Sequence, residues 1–288
     1  MVPVQEKVGY KTFAHRQQSY KSVFKSIFSV TMNFSKKVIL ITGAASGIGK
    51  AIALSFAKLS ARLSLIDINF ENLNKVAEEC EILNENKVFK VATNVSDTNN
   101  VKEAVTATVQ EFDRLDVVIN CAGICDMNGI TGENLIENLG KVLNINLISH
   151  IAATHYAADE LIKSKGCVVN ISSIFGTTAT KNGIPYAVSK AGMVHFTKCA
   201  ALELAEKGVR VNSISPGPIR TNLLDNDFKN KEDINTVFQN FEENTPLKHL
   251  AEAQDIAEMA VFLASDKAKH ITGIDVIIDS GITLRKMK

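Results

Sequence analysis

Short runs of β-branched and apolar residues recur along the chain, each followed by a longer stretch in which apolar positions return every three or four residues. VILI at 38, LSLI at 63, VVIN at 117, VVNI at 168, VRVNSI at 209 and IDVII at 274 are such runs. A less obvious third strand is placed near KVFKVAT, starting at Lys87. Strands covered on both faces read as continuous apolar runs, and strands alternating with helices form parallel sheets. From Lys37 onward the pattern therefore predicts a doubly wound α/β domain. No repeat, low-complexity tract or linker divides it.

Composition narrows the function classes. At 288 residues with 45% hydrophobic and 22% charged residues, the chain has average globular usage, which argues against disorder or a fibre. A net charge of +1 gives no case for nucleic acid or an anionic membrane as an obligatory partner. No apolar run approaches bilayer length, so a soluble, cytoplasmic protein is expected. Cys80, Cys121, Cys125, Cys167 and Cys199 are odd in number and lack a CxxC pair, which fits a reducing compartment and structural thiols with no metal site. Charge is uneven, however. Residues 1–37 hold seven Lys or Arg against one acid, Glu6, and so carry +6. Tyr20, Val23, Phe24, Ile27 and Phe28 fall at helical spacing among those lysines, which suits a mitochondrial presequence or a surface-binding helix. The preferred reading is a flexible extension over 1–34, upstream of a start at Met32, ahead of one domain over 35–288.

Two motifs carry chemistry. The first strand runs into TGAASGIGK, Thr42 to Lys50, where Gly43, Gly47 and Gly49 allow a sharp turn and close backbone approach. A helix starting there offers free N–H groups and a positive dipole end to a pyrophosphate. Asp67 closes the second strand, 20 residues after Gly47. Its carboxylate suits the ribose hydroxyls of adenosine and repels a 2′-phosphate, so NAD is expected over NADP. Ser46 stands where a cation would have met that phosphate. The second motif is YAVSK, in which Tyr186 and Lys190 share one helical face.

With TGAASGIG, NCAG at 120, NISS at 170, YAVSK at 186 and SPGPIRT at 215 in this order, the chain from about Phe34 to Leu284 resembles the short-chain dehydrogenases/reductases, in their compact single-domain branch. The resemblance implies a seven-stranded Rossmann sheet and hydride transfer between a nicotinamide and a secondary alcohol or carbonyl carbon. It implies that Ser173 holds the substrate oxygen and that Tyr186 is the acid/base. Free tyrosine titrates near ~10, so the Lys190 ammonium and the oxidised cofactor are expected to favour the phenolate. Lys190 would also bond the nicotinamide ribose. Asn146 would help to hold a water linking the lysine to solvent.

The same resemblance places the cofactor on Gly43, Ser46, Gly47, Ile48 and Gly49, on Asp67, on Asn94 and Val95 near adenine, and on Asn120, Ala122 and Gly123. Pro216, Gly217, Ile219 and Thr221 would meet the carboxamide. Cys121 replaces the second Asn of the usual NNAG, and DSG at 279 stands where DGG is usual. His150, His155 and His195 read as satisfied or surface residues, and Glu242-Glu243 as a solvated face. A substrate lid is expected near 219–246, where Leu223, Leu224, Phe228, Val237, Phe238 and Phe241, with the loop Ile124 to Glu133, point to a small-molecule substrate with an apolar body. The apolar helix expected to begin near Ser189 implies, by the same resemblance, a homodimer or homotetramer. A 3-oxoacyl thioester reductase and a catalytically silent NAD-binding scaffold are the alternative functions.

Overall fold

The structure is a computed structural model that describes residues 32–84, 86–224 and 231–284; the basic segment 1–31 lies outside them. The chain divides at Asn33, and every described element belongs to Phe34–Lys288. Seven strands form one sheet: β1 (Val38–Thr42), β2 (Arg62–Asp67), β3 (Phe89–Ala92), β4 (Val117–Asn120), β5 (Cys167–Ile171), β6 (Arg210–Pro216) and β7 (Asp275–Ile278). All pairings are parallel and the order is β3-β2-β1-β4-β5-β6-β7. Among the described residues, eight α-helices cross between strands: α1 (Gly47–Ala57), α2 (Phe70–Asn84), α3 (Thr98–Phe112), α4 (Leu135–Leu143), α5 (Ser149–Ser164), α6 (Ile184–Ala205), α7 (Lys231–Asn244) and α8 (Ala253–Ala264).

Periodicity explains the layers. β1, β4 and β5 are buried along their whole length, because helices cover both faces. On one face α1 packs with α2 and α8, and on the other α3 packs with α5 and α4 with α6. Val38, Leu40, Val118, Val168 and Val211 meet Val101, Val105, Ala153, Ala157, Leu161 and Ala201 in this second layer. The edge strand β3 alternates half-buried with exposed residues, and it starts two residues after Lys87, since Lys87 and Val88 precede the ladder. Strand order reverses between β1 and β4, and the crevice beyond their carboxyl ends is where such sheets bind ligands.

Candidate active site

The turn after β1 is built by close approach. Gly43 has φ +69°, and a side chain there would meet the Ala122 Cα at 2.7 Å; one on Gly49 would meet the Gly43 carbonyl oxygen at 2.0 Å. These contacts press the first turn of α1 onto the ends of β1 and β4. The Thr42 hydroxyl oxygen fastens the same junction, accepting from the N–H groups of Cys121 (3.0 Å) and Ala122 (3.2 Å). Ser46 precedes α1 in extended conformation without capping it, and the first turn holds no acid. Its N–H groups are therefore directed to the crevice and suit an anion. Thr221 closes this corner, with its methyl group 3.2 Å from where a Gly47 side chain would begin. Across the crevice, Asp67 accepts from Ala45 N–H at 3.0 Å and Asn69 N–H at 2.9 Å, which fixes the carboxylate at the end of β2. Glycine cradle, open helix start and anchored carboxylate together fit a dinucleotide.

The helix that carries Tyr186 and Lys190 starts earlier than its apolar run predicts. α6 begins at Ile184, not near Ser189, with Pro185 in its first turn and Gly183 at φ +79° ahead of it. The Asn128 carbonyl accepts from the N–H groups of Gly183 and Ile184, each at 3.1 Å. Tyr186 and Lys190 consequently lie one turn apart on a buried face, with Lys190 Nζ 5.5 Å from the phenol ring centre. The ammonium donates to the Ile171 carbonyl at 2.8 Å. Ser173, just beyond β5, hydrogen-bonds to the phenol, and Phe175 meets the Tyr186 ring edge-on at 6.3 Å.

Asn146 lies in a single π-helical turn, Asn144–Ile148, between α4 and α5. Such turns interrupt helices frequently at functional sites. Its amide donates to the Ile124 carbonyl (2.9 Å) and the Ser189 hydroxyl (3.2 Å) and accepts from Ile124 N–H (2.9 Å). A side chain added at Gly123 would come 3.4 Å from Asn146 Oδ1 and 3.8 Å from Lys190 Nζ, so these groups surround one small volume.

Electrostatics corrects one expectation. In the protein alone, the Tyr186 hydroxyl is pushed well above the ordinary phenol range, first by burial and then by the Cys125 thiol, while the Ser173 hydrogen bond works the other way. Burial pulls Lys190 down to about 8, against the pull of Cys121 and Cys125. Burial opposes the charged form of both groups, so in the protein alone the phenol is held protonated. Cys121 itself is raised to about 12 by burial. Both cysteines therefore lie close to Tyr186 and Lys190, a placement that their spacing did not reveal.

The remaining residues divide between crevice and framework. Asn120 is fully buried, its amide donating to Asn170 Oδ1 (2.8 Å), Thr154 Oγ1 (3.2 Å) and the His150 carbonyl (3.3 Å), so it offers the crevice only backbone. Asn94 is exposed and its side chain accepts from Ser96 N–H at 3.0 Å, while Val95 packs against the core. Pro216 ends β6, and Gly217 donates to the Ile278 carbonyl at 2.8 Å. Ile219 is buried. Arg220, between them and Thr221, stacks on Phe238 at 5.0 Å and pairs with Glu242 at 3.7 Å, which ties the loop to α7. Phe238 is itself buried and Phe228 lies outside the described residues. His155 and His195 are exposed, but His150 is wholly buried with Nε2 2.8 Å from the Ala122 carbonyl. Thr42 and His150 were missed as site residues, although Thr42 opens the glycine motif.

Residues 43–283 match a family model described as Enoyl-(Acyl carrier protein) reductase. The chain belongs to the short-chain dehydrogenase/reductase family. This short-chain dehydrogenase/reductase is 36% identical over 254 residues to a 3-oxoacyl-[acyl-carrier-protein] reductase from Thermotoga maritima, covering 88% of this chain and all of the relative. It is 34% identical over 251 residues to cyclohexanol dehydrogenase from an Acinetobacter species, covering 87% and 96%. The crystal structure of levodione reductase superposes with TM-score 0.83 at 32% identity, covering 88% and 100%. A 7α-hydroxysteroid dehydrogenase complexed with NADH and 7-oxo glycochenodeoxycholic acid gives 0.80 at 28%, covering 87% and 95%. The protein is accordingly a nicotinamide-dependent oxidoreductase acting on CH–OH groups, with the Rossmann fold of its family. No helix among the described residues is long and apolar enough to cross a membrane.

Proposed function

We propose that this enzyme is an NAD-dependent dehydrogenase of secondary alcohols, reversible toward the carbonyl, in which Tyr186 exchanges the proton. The observation that carries this reading is the buried phenol hydrogen-bonded to Ser173 beside Lys190. Ser173 holds the substrate oxygen, being able to donate and accept. In oxidation the substrate hydroxyl proton passes to the Tyr186 oxygen while the carbinol C–H electron pair leaves as hydride; reduction returns both. Bound nicotinamide supplies or receives that hydride. Lys190 would hold its ribose, and Asn146 would support the proton exit. Because burial keeps the phenol protonated in the protein alone, kcat/KM for oxidation should rise as pH is raised above 7, and a flat profile counts against Tyr186 as the base.

NAD preference rests on Asp67, whose anchored carboxylate faces the adenosine end of the crevice. Asp67→Ala should weaken NADH binding about tenfold and relax rejection of NADPH; fluorescence titration with both cofactors checks this, and an unaltered NADH/NADPH ratio removes the argument. Residues 219–246 serve as substrate cover. Reduction of a 3-oxoacyl thioester is the second reading, favoured by the Thermotoga relative. NADH absorbance over a panel of secondary alcohols, steroids, sugars and 3-hydroxyacyl thioesters separates the two. Tight cofactor binding with no turnover of any would favour a scaffold.

Residues 1–34 serve as an extension to a cytoplasmic catalytic domain. Ile151, Val188 and Leu202 expose apolar side chains on α5 and α6, which supports a homodimer or homotetramer; light scattering of the purified protein decides the state.

A further inference from the structure

His150 is a buried residue that the reaction does not use, and its surroundings give it a specific task. It lies in the first turn of α5, wholly buried, with Nε2 2.8 Å from the Ala122 carbonyl oxygen. A carbonyl only accepts, so Nε2 must carry the proton. Nδ1 is then a bare acceptor, and it finds no protein donor among the described residues; neither does Asn120 Oδ1. A proton added at Nδ1 would create a buried, unsatisfied donor and a second cation near Lys190. Burial and that same lysine pull the imidazole down to about 3, so it is neutral.

The bond reaches a sensitive place. Ala122 is the residue against which Gly43 packs, and its N–H is already held by Thr42. Thr42 and His150 thus grip the two sides of one peptide segment, while Asn120 just before it is tied to Asn170, Thr154 and the His150 carbonyl. With the donor removed, the Ala122 carbonyl is left unpaired in a dry interior, and the turn that must lie flat for the dinucleotide loses its reference.

We propose that His150 is a positioning residue, locked as the neutral Nε2–H tautomer, that sets the Ala122–Gly123 turn for cofactor binding. This rests on the assignment of the crevice between Gly43 and Gly123 to the dinucleotide. It acts on affinity, leaving the proton transfer at Tyr186 untouched.

The test has two arms. In the full-length wild type at pH 7, 15N-resolved imidazole spectra, assigned by loss of one signal in His150→Gln, should show Nε2 protonated and Nδ1 bare. In fluorescence titrations with NADH, His150→Leu should raise Kd about fivefold or more, the equivalent of one lost buried hydrogen bond. His150→Gln, whose amide can donate from nearly the same point, should restore most of the affinity. Steady-state kinetics should show KM for NAD raised and kcat at saturation unchanged. A protonated Nδ1, or a folded His150→Leu with wild-type Kd, overturns the inference. If His150→Leu does not fold, the tautomer and the Gln variant still decide it. A wild type that binds neither NADH nor NADPH instead overturns the crevice assignment, and this inference with it.

Discussion

The two edges of the sheet treat buried charge in opposite ways. At the amino edge, Asp116 is 1% exposed and fully partnered: Arg114 donates through Nε (2.8 Å) and Nη2 (2.7 Å), Lys37 Nζ at 3.0 Å and Val38 N–H at 2.9 Å. Burial pushes its carboxyl up, but these donors win and hold it below the usual carboxylate range. At the carboxyl edge, Lys190 is 4% exposed and donates to a neutral carbonyl, with no carboxylate paired to it among the described residues. The amino edge is therefore electrostatically complete by itself. The carboxyl edge, whose buried cation meets a backbone carbonyl, is not.

The largest effect should come from the incomplete edge. Tyr186→Phe keeps the ring and its contact with Phe175 but removes the proton carrier. Turnover should fall on the order of a thousandfold, while the unfolding free energy from urea titration changes by less than about 1 kcal/mol. Retained activity would end the acid/base assignment.

Asp116→Asn probes the complete edge in the opposite sense, with stability lost and catalysis kept. Removing one member of a buried charged cluster costs about 3 kcal/mol, at the low end because Lys37 and Arg114 are partly solvated. The sign with pH follows from the depressed carboxyl. Its stabilisation is present above the unfolded value near ~3.9 and disappears as pH falls through the folded value. Unfolding at pH 7 and near pH 3 should thus show a gap between wild type and variant that closes in acid. A constant gap would mean that the charge is not what stabilises this edge.

Lys190→Met sharpens the contrast. Folding lowers the amine from 10.5 to about 8, so between these values the unfolded chain binds more protons and wild-type stability gains with rising pH. Relative to the methionine variant, the gain from pH 8 to 10.5 should be roughly 2–3 kcal/mol, read by paired urea titrations, and turnover should be lost. A flat difference would show that Lys190 is not desolvated in the protein alone.

What the sequence revealed of these edges follows from the range of each interaction. VVIN and VVNI are legible because helices on both faces demand apolar residues at every position, whereas β3 has only half-buried and exposed residues and its start was placed two positions early. Tyr186 and Lys190 were visible as types at fixed spacing, Ser173 came from the family resemblance, and the structure gathers all three. Their charge balance was not visible, since burial of a side chain depends on elements far away in sequence. The start of α6 was misplaced because the strong apolar run from Met193 masks the Gly183–Pro185 signal. His150 left no trace at all, because its partner is a backbone carbonyl 28 residues distant, and every residue has a carbonyl.

The smallest expected effect tests whether the carboxyl edge also carries backbone strain. Ser280, in the DSG turn, has φ +52°, a region where glycine rests without penalty and serine does not. The turn is held regardless: Asp279 accepts from Gly281 N–H (2.8 Å), Thr283 N–H (3.0 Å) and the Thr283 hydroxyl (2.6 Å), and the Ser280 carbonyl accepts from Leu247 N–H (3.3 Å). Asp279 in turn lies against Gly217, whose added side chain would meet its Cα at 2.8 Å, so the strained turn supports the loop that leads to Thr221. Ser280→Gly relieves about 1 kcal/mol of strain but loosens the unfolded chain by roughly 0.4–1 kcal/mol. The net gain should be no more than about 0.5 kcal/mol. Ser280→Val, β-branched, should lose about 1–2 kcal/mol. Urea midpoints at constant m-value measure both, and a valine variant as stable as the glycine variant would show that this backbone is free to leave the left-handed region and that the carboxyl edge stores no strain there.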